Sequence, residues 1–115
     1  MSTDPDCLFC KIVAGQIPST IVAESEQTVA FRDINPQADV HVLVVPRIHE
    51  PDIGSLAAAD PAATISVLAE ARRIAEAECG GQYRLVFNTG AAAGQTVFHA
   101  HAHVMGGELR VALPS

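Results

Sequence analysis

Apolar and polar positions alternate with two different periods along this chain, which predicts both strands and helices. Runs rich in β-branched and aromatic residues predict strands at 21–24, 28–32 and 40–45. The 40–45 run is almost continuously apolar, which is typical of a central strand covered on both faces. Segments 82–88 and 98–105 predict two further strands, and a glycine pair ends the last one.

The longest periodic segment predicts a helix over 61–79. Asp60 suits the N-cap, and Pro61 suits the first helical position. The pair Gly80-Gly81 then ends the helix. Spacings of three and four predict one apolar stripe along it, formed by Ile65, Leu68, Ala71 and Ala75, with Ile74 beside them.

A shorter helix is predicted near the N-terminus, from Cys7 to about Ala14, with Asp6 as its N-cap and Gly15 at its end. These two helices and about five strands in hairpin-like succession predict an α+β domain with an antiparallel sheet. No repeat, linker or charge block divides the chain, so we expect a single domain over residues 1–115.

Composition narrows the classes of function. The chain carries 13 acidic and 7 basic side chains, for a formal net charge of -6. That balance argues against binding to a nucleic acid polymer, which needs many Lys and Arg contacts to phosphates, but it leaves room for one small nucleotide. The longest apolar run is too short to span a bilayer, the N-terminus does not look like a signal peptide, and the three cysteines are odd in number. We therefore expect a cytoplasmic protein with no membrane contact.

Three histidines, His99, His101 and His103, alternate with small residues in the last predicted strand. Alternate side chains of a strand share one face, so the imidazoles are expected side by side, about 7 Å apart at about 3.3 Å per residue. The residues between and beside them are expected to pack toward the long helix, namely Phe98, Ala100, Ala102 and Val104.

The histidine pattern alone leaves two chemistries open. A purely structural role is costly, because each buried imidazole needs two hydrogen-bond partners. His-x-His pairs are common zinc ligands, which is the metal-binding interpretation. The other interpretation is nucleophilic catalysis, since a neutral imidazole with a pKa of about 6.5 attacks phosphorus well near neutral pH.

The segment His99-Ala-His101-Ala-His103 resembles the His-x-His-x-His signature of the histidine-triad family. Residues 94–98 before it and Gly106-Gly107 after it match as well, and further blocks at 9–13, 30–36, 41–49 and 88–90 follow in the family's order. The chain is most similar to the nucleotide-binding branch of that family. The resemblance implies a HIT-like fold, a homodimer, and a purine nucleotide as substrate.

The resemblance also implies catalytic roles. His101 is expected to attack the α-phosphorus of a nucleotide, and His103 to hydrogen-bond the phosphate and help move a proton. His99 would support this array, and His41 would join the proton relay. Without the resemblance, His41 reads as a hydrogen-bonded histidine at a strand edge.

For the nucleotide, the resemblance assigns Asp33 to the two ribose hydroxyls, which suits a carboxylate because both of its oxygens accept. A turn-capping role before Pro36 is the alternative. Phe31 and Ile34 would flank the base. The positions that match phosphate and leaving-group contacts are Asn88, Gly94, Gln95 and Thr96, together with His101 and His103.

A second candidate site is the pair Cys7 and Cys10 near the start of the short helix. By itself this pair also fits a redox pair or two buried cysteines. The resemblance implies a structural zinc ion held by this pair with His49 and His99, since two sulfurs and two nitrogens make a closed tetrahedral site. Cys79 is expected to be a small core residue.

The function implied is hydrolysis of nucleoside phosphoramidates or related nucleoside monophosphate conjugates, with adenosine as the expected nucleoside. The reaction would pass through a covalent nucleotidyl-histidine intermediate. Two alternatives remain open, namely cleavage of dinucleoside polyphosphates and a nucleotide-binding adaptor module with little turnover.

Overall fold

The computed structural model describes residues 3–109, so part of the predicted 1–115 domain lies outside the described residues. Within that range, five strands form one antiparallel sheet in the order β1-β2-β3-β5-β4. Its strands are β1 (Ile21–Glu24), β2 (Thr28–Arg32), β3 (Ala38–Pro46), β4 (Arg84–Val86) and β5 (Ala102–Leu109). The helices are α1 (Leu8–Val13), α2 (Ile53–Ala59) and α3 (Pro61–Cys79), with a short 3-10 turn at Ala91–Ala93. The predicted α+β class is confirmed.

Strand β3 lies between β2 and β5, and both of its faces are covered, as the continuous apolar run predicts. Val42 and Val44 point to α3, where they pack with small residues of that helix and of β5. Leu43 and Val45 point to the opposite face, where they pack against α1 and its cysteines. The sheet therefore separates a helical layer from a thinner layer that contains α1. No helix among residues 3–109 is long and apolar enough to cross a membrane.

The two ends of α3 agree with the prediction. The Asp60 side chain accepts a hydrogen bond from the Ala63 N–H at 3.0 Å, and Pro61 occupies the first helical position. Gly80 ends the helix with φ +62°, in the left-handed region that glycine adopts without strain.

The predicted apolar stripe on α3 is partly wrong. Ile65 and Leu68 are 66% and 43% exposed, because the face that meets the sheet is rotated away from them. Small side chains on that face let the helix lie close to β3 and β5. The buried face consists of Ala63, Val67, Glu70, Ala71, Ile74 and Ala75.

Glu70 enters that buried face because its carboxylate has partners there. Thr28 donates a hydrogen bond to it at 3.5 Å, and Arg73 donates another at 3.0 Å. A buried carboxylate is tolerated only when it is paired in this way. Reading the sequence for apolar residues alone selects the wrong face at this position.

The N-terminal helix also starts differently from the prediction. Its N-cap is Cys7 and not Asp6, and the Cys7 sulfur accepts a hydrogen bond from the Cys10 N–H at 3.4 Å. Helix α2 was not predicted at all. Asp52 caps it by accepting from the Ser55 N–H at 2.8 Å, in a segment too rich in alanine to show a clear period.

The last strand has the predicted length of eight residues but lies four residues later, from Ala102 to Leu109, so the glycine pair Gly106-Gly107 does not end it as predicted. The Ala100 N–H donates to the Glu50 carbonyl at 2.7 Å, outside the strand ladder. The predicted packing of Phe98 toward the long helix is wrong, since this side chain is 49% exposed. Ala100, Ala102 and Val104 do pack in the α3 core, as predicted. The strand predicted over 82–88 is shorter in the structure, where β4 covers only Arg84–Val86.

Candidate active site

Two histidines of the triad line a cavity of about 360 Å³ on the α1 side of the sheet. His101 and His103 lie there with ring centroids 5.0 Å apart, closer than the spacing of about 7 Å expected from an ideal strand. Asp33, Phe31 and Thr96 line the same cavity, as the resemblance implies. A larger cavity of about 690 Å³ lies beside β4 and contains none of the predicted site residues. Cys79 lines it and is only partly buried.

Helix α1 supplies an apolar wall of the cavity that the sequence reasoning missed. Leu8, Phe9 and Ile12 stand one and three positions apart, so they share one side of the helix. The spacing of these apolar residues indicates in the sequence that one side of the helix is buried against a neighbouring surface, in addition to the side that carries the cysteines. The remaining apolar lining comes from Ile17, Pro18, Leu43 and Val97.

The hydrogen bond of His101 determines which of its nitrogens is free. Its Nδ1 lies 2.7 Å from the His99 carbonyl oxygen, which can only accept, so Nδ1 carries the proton. The lone pair of the neutral ring is therefore on Nε2. A neutral imidazole in this tautomer has its nucleophilic atom on the side away from the backbone.

A chain of three groups orients His103. The Gln37 N–H donates to His41 Nδ1 at 2.9 Å, so the His41 proton lies on Nε2. That Nε2 is 2.9 Å from His103 Nδ1 and 3.4 Å from Asp33 Oδ2. When His41 donates to His103, the His103 proton must lie on Nε2, where it is available to a ligand. His41 is thus buried against two cavity residues.

Burial keeps these imidazoles neutral. Burial, together with the neighbouring His101 and His41, lowers the pKa of His103 to about 4, and Asp33 opposes this shift. Burial likewise lowers the pKa of His101 and of His41. At neutral pH the rings are uncharged, and the lone pair of His101 Nε2 is free for a nucleophilic attack, whereas the lone pairs of His41 and His103 on Nδ1 accept hydrogen bonds.

The position of Asp33 is compatible with both roles that the sequence left as alternatives. Its Oδ1 accepts from the Asn35 N–H at 2.8 Å, which caps the turn after β2. Its Oδ2 faces His41, and the residue lines the cavity. The carboxylate therefore holds the turn and still presents an acceptor to the cavity.

The other residues predicted to bind the nucleotide lie at the border of the cavity or are not among its lining residues. Ile34 borders the cavity but its side chain is 100% exposed. Asn88, Gly94 and Gln95 are not among the described lining residues. The Gln95 amide is engaged inside its own loop, since it accepts from Gly90 N–H at 2.8 Å and donates to two carbonyl oxygens, of Pro51 and Val97, at 2.6 and 3.0 Å. In this conformation it shapes the loop and does not reach into the cavity.

The four residues implied as zinc ligands lie together beside the cavity. The Cys7 and Cys10 sulfurs, His49 Nδ1 and His99 Nδ1 all lie within 4.8 Å of one another. The two nitrogens are 3.3 Å apart, and the sulfur–nitrogen distances from Cys10 to His49 and His99 are 3.4 and 3.5 Å. A tetrahedral zinc ion would hold two nitrogens about 3.3–3.4 Å apart and a nitrogen and a sulfur about 3.5–3.6 Å apart.

The orientation of His99 supports this fit. Its Nε2 lies 2.8 Å from the Pro46 carbonyl oxygen, so Nε2 carries the proton and the Nδ1 lone pair faces the sulfurs. We refer to Cys7, Cys10, His49 and His99 as the metal group. Its residue types, distances and tautomer all suit zinc.

A second set, Asp33, His41 and His103, is also compact enough to be considered as a metal site. It fits poorly, because a metal on His41 Nε2 would require the proton on Nδ1. That proton would face the Gln37 N–H, which already donates to Nδ1 at 2.9 Å. Two donors would then oppose each other, so this set suits proton transfer better than metal binding.

Comparison with known proteins agrees with this geometry. The HIT domain family profile matches residues 14–109. Purine nucleoside phosphoramidase of Escherichia coli K12 is 39% identical over 104 residues, which cover 89% of this chain and 87% of the relative. The 14 kDa zinc-binding protein of Zea mays is 39% identical over 107 residues, which cover 90% of this chain and 84% of the relative. A solved HIT family hydrolase from Clostridium thermocellum superposes with a TM-score of 0.87 at 42% identity, covering 92% of this chain and 94% of its own.

Proposed function

This chain belongs to the HIT domain family, and we propose that it hydrolyses nucleoside phosphoramidates or related conjugates of a purine nucleoside monophosphate. One observation carries the proposal. The His101 Nδ1–H is held by the His99 carbonyl, so Nε2 is the free nucleophile, and His101 lines the cavity together with Asp33.

In the first step, His101 Nε2 attacks the α-phosphorus and forms a phosphorus–nitrogen bond. The bond from phosphorus to the leaving nitrogen breaks, and the leaving amine takes a proton from His103 Nε2. His103 then takes up a replacement proton from solvent with the help of His41, whose Nε2 lies 2.9 Å away, so that neither ring is left as an anion. The His101 ring becomes cationic, and the His99 carbonyl oxygen at 2.7 Å stabilises that charge.

In the second step, water attacks the phosphorus of the nucleotidyl-His101 intermediate. The phosphorus–nitrogen bond breaks, and the electron pair returns to Nε2. The proton of the water passes to the relay of His103 and His41, which is in hydrogen-bond contact, and the relay releases one proton to solvent, which balances the proton taken up in the first step. The products are a nucleoside monophosphate and the unchanged enzyme.

We assign the cavity to the nucleoside. The free oxygen of Asp33 would accept from the ribose hydroxyls, and Phe31 would pack against the base together with α1. Apolar contacts of this kind discriminate weakly between bases, so the purine assignment is supported by the similarity to the purine nucleoside phosphoramidase of Escherichia coli.

We also propose that the metal group binds one structural zinc ion. Four protein ligands close a tetrahedral site and leave no position for substrate, so the ion would stabilise the fold and not enter the reaction. It would tie α1 and its cavity wall to the segment that holds His99 and His101. The zinc-binding name of the Zea mays relative supports the assignment.

We further propose a homodimer. Helix α3 exposes Ile65 and Leu68, which are 66% and 43% accessible. Apolar side chains exposed on a helix are a feature that a second subunit covers. Light scattering after gel filtration should give the mass of two chains, and the mass of one chain would contradict this. The cytoplasmic location stays a prediction.

The test of the activity is turnover of adenosine 5′-phosphoramidate, followed by release of AMP. The wild-type protein should turn over, and His101→Ala should lose several orders of magnitude in kcat, because the variant lacks the nitrogen that accepts the nucleotide. Glu26→Ala, at an exposed position between β1 and β2 and outside the cavity lining, serves as a control and should retain the activity.

Two outcomes would redirect the proposal. Faster cleavage of a diadenosine polyphosphate than of the phosphoramidate would favour the polyphosphate hydrolase alternative. AMP binding without turnover of either substrate would favour an adaptor module. Normal turnover by His101→Ala would remove the mechanism altogether.

A further inference from the structure

His99 belongs to both sites at once. Its side chain directs Nδ1 to the Cys7 and Cys10 sulfurs at 3.5 Å, within the metal group. Its carbonyl oxygen holds His101 Nδ1 at 2.7 Å. The same residue therefore contacts the metal group through its ring and the nucleophile through its backbone.

Phe9 makes a second connection between the two sites. It stands between the two cysteines of α1 and is buried. Its ring meets that of His101 nearly at right angles, at 88°, with centroids 5.0 Å apart. It also packs on Phe31 at 5.4 Å, at the proposed base position. Edge-to-face contacts of this kind depend on ring position.

Helix α1 is too short to hold its position by itself. It has six residues, which is well below the length at which isolated helices become stable in water. Its attachment therefore depends on tertiary contacts, and Cys7 and Cys10 at its start are two of the four members of the metal group. An ion bound there fixes α1, and α1 fixes Phe9.

We infer that metal binding at the metal group and nucleotide binding in the cavity are energetically coupled, through His99 and Phe9. This inference rests on the proposed function, because it assigns the cavity to a nucleotide. With the ion in place, the His99 carbonyl and the Phe9 ring hold the nucleophile in one orientation. Without it, both supports are released, and the nucleotide meets a less ordered site.

Coupling between two binding sites is reciprocal. If Zn²⁺ tightens the binding of AMP by a given factor, AMP tightens the binding of Zn²⁺ by the same factor. The metal affinity is therefore a readout that does not depend on catalysis. It also separates this positioning role from a structural role of Phe9, which would not transmit the effect of AMP to the metal.

The experiment measures AMP affinity by calorimetry with the zinc-loaded and the metal-free protein. It also measures Zn²⁺ affinity by competition with a chromogenic chelator, with and without saturating AMP. Both measurements should give the same coupling factor, at about fivefold or more. Circular dichroism of the metal-free protein at the same temperature reports whether the fold persists.

Two variants locate the connection. Phe9→Leu keeps an apolar side chain and all four ligands, so Zn²⁺ affinity without AMP should stay within about twofold while the coupling factor falls toward one. Lys11→Ala changes the same helix outside the cavity lining and the metal group, and it should keep the wild-type coupling.

The outcomes separate this inference from the proposed function. Absence of AMP binding to either form would overturn the proposed function and this inference with it. Equal AMP affinity of both forms would overturn the coupling alone. Wild-type coupling in Phe9→Leu would also overturn it, because a coupling that arises only from unfolding of the metal-free chain does not require Phe9.

Discussion

Substituting Asp33 by Asn tests the nucleoside assignment with little change in shape. The amide keeps an oxygen to accept from the Asn35 N–H, which caps the turn at 2.8 Å in the wild-type protein. The amide carries no charge. Its NH2 group, which donates, takes the place of the carboxylate oxygen Oδ2, which accepts and lies 3.4 Å from His41 Nε2. The contact with His41 and the interaction with the ribose hydroxyls should both change, so a nucleotide without these hydroxyls is needed to separate the two effects.

The size of the effect follows from the one carboxylate oxygen that remains available. A hydrogen bond to a charged group contributes about 1.5–3 kcal/mol, so Asp33→Asn should weaken AMP binding by about 10- to 150-fold. Wild-type protein should prefer AMP over 2′,3′-dideoxy-AMP by a similar factor, and the variant should show almost no preference. The four affinities form a double-mutant cycle, whose interaction energy isolates this contact.

Isothermal titration calorimetry measures all four affinities. Asp39→Asn is the matched control, because the Asp39 carboxylate accepts from the Glu108 N–H at 2.9 Å and lies outside the cavity lining. It should leave both AMP affinity and ribose preference unchanged. If Asp33→Asn binds AMP as tightly as the wild-type protein, or keeps the full preference for AMP, the ribose assignment is wrong.

Three further predictions concern the metal, the packing and the pH dependence. Cys7→Ser should lower the zinc content from about one ion per chain to well below one, measured by elemental analysis, because oxygen is a poorer ligand for zinc in such a site. Gly106→Ala should lower the free energy of unfolding by about 1–3 kcal/mol, since the new methyl group would meet the Cys79 side chain. Adding Cys79→Gly to this variant should restore part of the loss. The pKa of His103 is lowered from 6.5 to about 4, so the folded protein binds fewer protons than the unfolded chain. The free energy of unfolding is therefore not reduced by His103 above pH 6.5. It decreases as the pH falls from 6.5 toward 4, because the unfolded chain then binds a proton at His103 that the folded protein does not bind. Allowing for partial solvent screening, the wild-type protein should lose about 1–2 kcal/mol more than His103→Asn between pH 7 and pH 4 in urea titrations.

Local signals predicted the ends of α3 and the central strand well. Asp60, Pro61 and Gly80 each act through the backbone of their own neighbours, so a single sequence carries the information. The exposed side of α3 was misplaced because burial there depends on which face meets the sheet, and Glu70 is buried only because Thr28 and Arg73 are present.

The site was predicted in its residue types but not in its shape. The periodicity of the histidines indicated a shared face, but the strand begins only at Ala102, because the preceding segment is held by other contacts such as Ala100 N–H to the Glu50 carbonyl. The Gln37 N–H that sets the His41 tautomer comes from a loop, and no side-chain pattern reveals it. The apolar cavity wall formed by Leu8, Phe9 and Ile12 could have been predicted from the helical spacing of these residues, but the sequence analysis did not predict it.

The central claim is that His101 carries the nucleotide between the two steps. Mixing the protein with adenosine 5′-phosphoramidate, quenching in base within milliseconds and digesting should give a peptide heavier by one adenylyl group. Fragmentation should place that group on His101, and it should appear and decay fast enough to account for turnover. Turnover with no such adduct, or with the adduct on another residue, would contradict the account.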